Sequence, residues 1–281
     1  QHFPTDLPSR RILCLAVPFV FFVLSWGQMT HGKPTVSGDG PHYLMVTQSL
    51  LEDGDLDVRN NYDSDDGSAF GADGLAPGNF VHQTPSGRSL SVHDVGLSVL
   101  LLPAYATARA VSVVVPASAL TRVRMTKGLL AYSLVCVFML ALTTLAWWLV
   151  AGTVAGVSSP KTATVTTLLV ALSPPVLANG TAVFPEVVAL LAVSIALAAS
   201  YGSRPTRYWV ALLVAGLLPW THRKFAALAV GLVFLLACRL DARTPKARFW
   251  LMAGILVGTP IALLIGWAPV TWGNHLVPLG E

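Results

Sequence analysis

Apolar spans recur at roughly 12–28, 95–116, 129–154, 163–177, 187–201, 208–220, 225–238 and 249–270, and from the second span onward only short connections separate them. A hydrocarbon layer offers backbone groups no water to bond, so spans of this kind are restricted to helices. A perpendicular crossing takes about 20 apolar residues, so several middle spans must be tilted, broken or incompletely crossing. Pro174, Pro175 and Pro185 mark such a break, near Asn179 to Glu186. Composition agrees. Of 281 residues, 54% are hydrophobic and 11% charged, against about 25% charged in soluble domains. The expected fold is all-α: a polytopic membrane protein with about 7–8 transmembrane or partly crossing helices and one long outer loop carrying surface helices. Its parts are the N-terminus and first membrane helix (1–28), an acidic extracytoplasmic loop (29–94) and a helical transmembrane bundle (95–281).

The net charge of +4 hides a segregation. Ten of the fourteen acidic residues fall between 29 and 95, where only Lys33, Arg59 and Arg88 are basic. Most of the remaining cations sit in short connections, which suit the cytoplasmic face of a membrane better than nucleic acid. An integral protein of the cytoplasmic membrane follows. Arg10 and Arg11 place its N-terminus inside and loop 29–94 outside. Arg122, Arg124 and Lys127 are expected inside, as are Arg204 with Arg207 and the cluster Arg239, Arg243, Lys246 and Arg248. One count fails. From Lys127 inside to Glu186 outside the chain needs an odd number of crossings, yet two spans intervene, so one is expected as a half-crossing or a surface helix. Arg10 and Arg11 before an apolar run also resemble a signal peptide. SWGQMTHGK offers no small-x-small cleavage site, so a retained signal-anchor is expected.

Asp39 follows the first span at its outer end, in Ser37-Gly38-Asp39-Gly40-Pro41-His42-Tyr43. Flanking glycines allow turns that other residues resist. Carboxylates just past a membrane helix cost free energy unless water or a cationic ligand compensates them. An aspartate there can act as base or metal ligand; the plain alternative is an acidic turn in water. From Tyr43 to Leu51 apolar residues fall at helical spacing, predicting an amphipathic helix lying on the bilayer. His222, Arg223 and Lys224 interrupt an apolar hairpin between Trp220 and Phe225. On the outer face they oppose the positive-inside trend and ask for an anionic partner. A lipid phosphate or pyrophosphate fits, through the arginine fork and the lysine point charge; snorkelling at the interface is the alternative.

Other signals resolve to plain readings. An EF-hand loop opening at Asp53 would need Gly at its sixth position and Glu at its twelfth, where Val58 and Ser64 stand. No HxxH or HExxH spacing exists to suggest a zinc site. Cys14, Cys136 and Cys238 lie in or beside apolar spans with no close pair, as buried small hydrophobes do. Asn179-Gly180-Thr181 fits a glycosylation sequon but abuts apolar spans, as a chance match would. Of the histidines, His31, His42, His82 and His93 fall in the acidic loop, and His222 and His275 at outer span ends.

Taken in order, several segments resemble the GT-C class of membrane glycosyltransferases, which use polyprenyl-phosphate-linked sugars. These are Gly38-Asp39 with Pro41-His42-Tyr43, the continuation SLLEDGDLDVRNNYD, and His93-Asp94-Val95-Gly96 leading into LLLPAYA. SPP…FPE ending at Glu186, and LLPWTHRK around Trp220 to Lys224, complete a resemblance that covers most of the chain. It implies that Asp39 is the acceptor-activating base or a metal ligand, and that Glu186 is the second outer-loop acid, orienting the acceptor or holding a metal. A divalent metal at Asp39 and Glu186 is the only cofactor it admits. It further implies that His93, with His222, Arg223 and Lys224, holds the lipid donor's phosphate, and that His42 and Tyr43 contact substrate from the loop. Many members carry an Asp-Glu pair at the first position, whereas here Gly40 follows Asp39.

The expectation is therefore sugar transfer from a polyprenyl-phosphate donor to an extracytoplasmic acceptor, with membrane lipids as surroundings and no nucleic acid as partner. Enzymes of the class usually carry a further outer domain, so under this reading the residues to Glu281 are expected to be a truncated enzyme. A non-catalytic subunit of a larger membrane complex, built on the same module, is the rival reading. A transporter ranks below both, because no charged residue marks the centre of a span.

Overall fold

The computed structural model describes residues 38–84, 87–201, 206–240 and 245–262, with Ala16, Phe19, Val20 and Val36 as isolated positions. The first apolar span, His31, Cys14, Arg10, Arg11, Arg204, Arg243, His275 and the last span beyond 262 fall outside them. The described chain is mostly helical. In order it forms α1 (Gly40–Glu52), α2 (Arg59–Asp63), β1 (Val81–Gln83), β2 (Ser89–Ser91), α3 (Val95–Val114), α4 (Ala117–Arg122) and α5 (Lys127–Ala155). There follow α6 (Pro160–Ala171), α7 (Pro174–Asn179), α8 (Pro185–Ser200), α9 (Thr206–Thr221), α10 (Ala226–Ala237) and α11 (Lys246–Ala253). The two strands form an antiparallel hairpin in which His82 faces Leu90, a small exception to the all-α expectation.

Element boundaries follow local chemistry. The Thr126 hydroxyl accepts from the Leu129 N–H at 3.0 Å and opens α5, and Ser159 does the same for Thr162 at 3.1 Å ahead of Pro160 in α6. Pro174 and Pro175 have no N–H to continue a helix. The apolar span expected at 163–177 therefore splits after Leu172 into α6 and α7. After Asn179 the chain turns and restarts at Pro185, with Glu186 in the first turn of α8, where the helix's positive end favours a carboxylate.

Two helices, α3 and α5, are long and apolar enough to cross a membrane by length and composition; α8 is apolar but shorter. Two main cores form. One packs α1, α3, the first half of α5 and Val183, Val187 and Val188. The other packs α8, α9, α10 and α11, largely through alanines such as Ala192, Ala196, Ala211 and Ala215, which let the helices approach closely. Trp147, Ala151 and Ala171 make a smaller cluster between α5 and α6.

Two expectations are corrected. Residues 43–51 do not lie as an amphipathic helix on a surface: every α1 residue from Gly40 to Ser49 is buried. Its polar side chains are met from within the fold. Thr47 donates to the Ser98 carbonyl (3.3 Å) and Gln48 accepts from the Tyr105 hydroxyl (2.8 Å). Ser49 donates to Asp55 Oδ1 (3.1 Å). Polar residues that find partners no longer mark a wet face.

The second correction concerns the basic connection at 122–127. Cα of Gly128 sits so close to the acidic segment that a Cβ there would run into the Ser68 carbonyl. Arg109 donates to the Ala69 carbonyl at 3.2 Å, and Lys127 Nζ to the Val113 carbonyl at 3.2 Å. The acidic turns and Lys127 therefore share one end of the molecule rather than opposite ends. At the other extreme, Tyr208 donates to the Arg239 carbonyl at 2.7 Å, Arg239 lies 5.3 Å from the Tyr201 ring centre and Arg248 lies 5.6 Å from that of Trp209. These cations gather at the end of the second core away from Glu186 and His222, one 16-residue helix apart.

Candidate active site

The seam between the two cores carries the polar chemistry. Gly38 has φ +73°, and a Cβ built on it would lie 3.5 Å from the Phe184 ring, so the chain turns tightly over Phe184 into Asp39. Asp39 stands at the N-cap of α1, yet its carboxylate makes no capping bond. Tyr43, one turn on, stacks its ring on His93 at 4.4 Å. The facing wall is Phe184-Pro185-Glu186 at the start of α8. Between the walls comes the turn after α9, where the Lys224 ammonium meets Glu186 Oε1 at 2.5 Å. His222 Nδ1 accepts from the Lys224 backbone N–H at 3.2 Å, so the ring proton of the neutral form sits on Nε2. Asp39, Tyr43, Asn179, Phe184, Pro185, Glu186, His222 and Lys224 line a cavity of about 220 Å³.

The turn is held from behind by Asp94. Its side chain is only 10% exposed and accepts the Arg223 backbone N–H at 2.7 Å. The Arg223 Nε lies 3.5 Å away and His222 Nδ1 3.7 Å away. This grip is possible because the start of α3 touches the end of α9. A Cβ on Gly96 would overlap the Trp220 carbonyl and lie 2.7 Å from the Thr221 nitrogen.

Of the residues singled out from sequence, Asp39, Tyr43, Glu186, His222 and Lys224 come together around one cavity. Arg223 does not line it. His93 lies behind Tyr43, with its Nε2 buried and unpaired. His42, expected at a substrate, is not among the residues that line the cavity. It is 4% exposed, stacks on Phe80 at 3.8 Å and bonds the Tyr62 hydroxyl at 2.6 Å. In the sequence Asp94 stands out only as part of His93-Asp94-Val95-Gly96. Its signal was an acid two residues before a glycine at a helix start, opposite an unexplained cluster of cations.

Burial governs the titration of the aromatic groups. It pushes His42 down to about 4, with His93 adding to the effect and Asp39 opposing it. It likewise lowers His93 against the pull of Asp39, and His222 against that of Asp94. Tyr43 is raised by burial and then by Asp39, Asp94 and Glu186. The histidine rings at the seam are therefore neutral around pH 7.

The anionic partners that Arg223 and Lys224 called for are supplied by the chain itself, as Asp94 and Glu186. Two carboxylates and one ammonium face the cavity. A divalent metal does not fit the Asp39–Glu186 pair. Glu186 already holds Lys224, and among the described residues no group of three His, Cys, Asp or Glu side chains gathers to add ligands. No known family, characterised protein or solved structure matches the chain.

Proposed function

We propose that the chain is a polytopic membrane glycosyltransferase that moves a sugar from a polyprenyl-phosphate donor to an extracytoplasmic hydroxyl. The observation that supports the reading most is Asp39, a carboxylate with no capping bond that faces Lys224 and His222 across a cavity of about 220 Å³. In the reaction the acceptor oxygen attacks the anomeric carbon and gives its proton to Asp39. The bond from that carbon to the phosphate oxygen breaks, and its electron pair leaves with the lipid phosphate. Lys224 and the Nε2–H of His222 would receive that developing charge. One base acting on one face gives inversion. Glu186 would orient the acceptor, and in doing so release Lys224 to the donor.

In the membrane arrangement that goes with this reading, the cavity opens outside and the Arg239 and Arg248 end lies inside the cytoplasmic membrane. The basic connection 122–127 is then outside, with the acidic segment. At about 1.5 Å per residue the 29 residues of α5 measure about 44 Å, well beyond a hydrocarbon core of about 30 Å. The excess of about 14 Å, roughly its first nine residues, accordingly stands clear of the lipid beside the acidic segment. In this arrangement two crossings, α5 and then α6 with α7, would join Lys127 outside to Glu186 outside.

The rival reading, a non-catalytic subunit of a larger complex, draws support from one observation: Arg223 and Lys224 are both answered by internal carboxylates. Turnover decides. The full chain in lipid nanodiscs, given a panel of prenyl-phosphate-linked sugars, should release prenyl monophosphate. Asp39→Asn, which keeps the size and loses the base, should lower that rate by about 10²-fold or more. Release at the wild-type rate removes Asp39 as the base. An inactive wild type that also fails to bind prenyl monophosphate leaves the structural subunit.

A further inference from the structure

Asp94 caps nothing on its own helix. It stands at the N-cap of α3 without a side-chain bond to it, although an aspartate there usually accepts from the first turn. Its carboxylate instead crosses to a turn more than a hundred residues away, taking the Arg223 backbone N–H at 2.7 Å and the guanidinium Nε at 3.5 Å. The Arg223 Nη2 also donates to the Val92 carbonyl at 3.4 Å. Both contacts tie Arg223 to the strand of chain that leads into α3. The two neighbours of Arg223, His222 and Lys224, line the cavity, and Arg223 does not. A three-residue turn gripped at its central residue presents its flanking residues in a fixed direction.

We infer that Asp94 is a positioning residue: it holds Arg223 back from the cavity and so aims His222 and Lys224 at the ligand opposite Asp39. The ligand contact of this turn is then made by one ammonium and one neutral imidazole, and the arginine acts only through the turn. The inference rests on the reading of the cavity as a site for a lipid phosphate, while its geometry does not.

Charge is the second part of the role. The titratable and charged groups around the His222 ring are Asp94, Glu186, Lys224, Arg223 and the neutral His93. Asp94 and Glu186 favour its protonation; the two cations and burial oppose it. Removing the carboxylate while keeping the shape should therefore move His222 further down, in the direction opposite to what opening the turn to water would give.

Two measurements on the full-length protein in nanodiscs test this. The first needs no ligand. In Asp94→Asn the His222 ring, followed by NMR of labelled histidine against a His222→Gln reference, should titrate at lower pH than in the wild type. An unchanged or raised midpoint overturns the inference. The second uses a short-chain prenyl monophosphate as probe. Asp94→Ala and Arg223→Ala should each weaken binding by about tenfold, the scale of one charge-assisted contact. The double variant should be no weaker than the worse single one, because both act through one turn. Additive losses mean that Arg223 touches phosphate itself, and overturn the inference. A wild type that does not bind the probe refutes the phosphate site, while the histidine titration still decides the role of Asp94.

Discussion

Glu186→Gln is the substitution on which a donor site and a structural ion pair diverge most. In the resting protein Glu186 Oε1 holds the Lys224 ammonium at 2.5 Å, with the two side chains 48% and 47% exposed. A phosphate entering the cavity must take Lys224 from that carboxylate. A pair this exposed is worth about 0.2–1 kcal/mol, the range for surface salt bridges. Glutamine keeps the shape and gives up that competition, so a prenyl monophosphate should bind about 1.4- to 5-fold tighter. Relief of like-charge repulsion adds to the same side. The gain should shrink as salt is raised from about 0.05 to about 0.5 M, because both terms are screened once the Debye length falls below about 10 Å. Isothermal titration of the detergent-solubilised protein reads the affinity, and turnover read beside it should fall if Glu186 orients the acceptor. Affinity up with turnover down is the expected pair. Weaker phosphate binding in Glu186→Gln would refute the reasoning, since Glu186 would then be helping to hold the donor.

Gly96→Ala should lower stability by about 1–3 kcal/mol, the cost of overpacking, because the new methyl meets the Trp220 backbone. Gly231→Ala, with nothing within 4 Å of its Cβ, should show no such loss in the same thermal unfolding series. His42 is neutral in the fold down to about 4, whereas the unfolded ring takes its proton near its ordinary value of 6.5. The unfolded chain thus binds more protons in that window, and stability should fall as pH drops from about 6.5 toward 4. His42→Gln should flatten the slope measured by denaturant titration, and an unchanged slope removes His42 as its source. Cysteines at positions 65 and 124 should both label from outside, and one at 248 from inside; labelling of 65 and 124 from opposite faces defeats the proposed arrangement.

Helix ends were legible because they rest on neighbours in sequence. Pro174, Pro175 and Pro185 each block a helix within one turn of themselves, and the break near Asn179 to Glu186 stands where they put it. The depth of α1 was not legible. Its apolar spacing was real, but the residues that bury it, Ser98 and Tyr105, lie more than fifty positions away and meet its polar side chains. Counting cations misplaced Lys127 for a related reason. The positive-inside trend weighs charges in connections, and says nothing of an acidic segment that folds back along α3 to pack on Gly128. The 29-residue length of α5 carried the warning, since a crossing needs about 20.

At the site, the residue types were legible and their pairing was not. Cations at 223 and 224 between two apolar helices require compensation, and sequence alone offered a ligand as readily as a carboxylate. The fold brings one acid from the start of α3 and another from the start of α8, each at a helix N-terminus where a carboxylate is already favoured. Helix starts converge on this seam because α3 and α8 both begin there, and their positive ends concentrate acids at one place. Arg223 and Lys224 are the countercharge to that convergence. On the proposed reading a ligand phosphate enters by exchange, displacing Glu186 from Lys224 while Asp94 keeps Arg223, so two ion pairs on adjacent residues would have different duties.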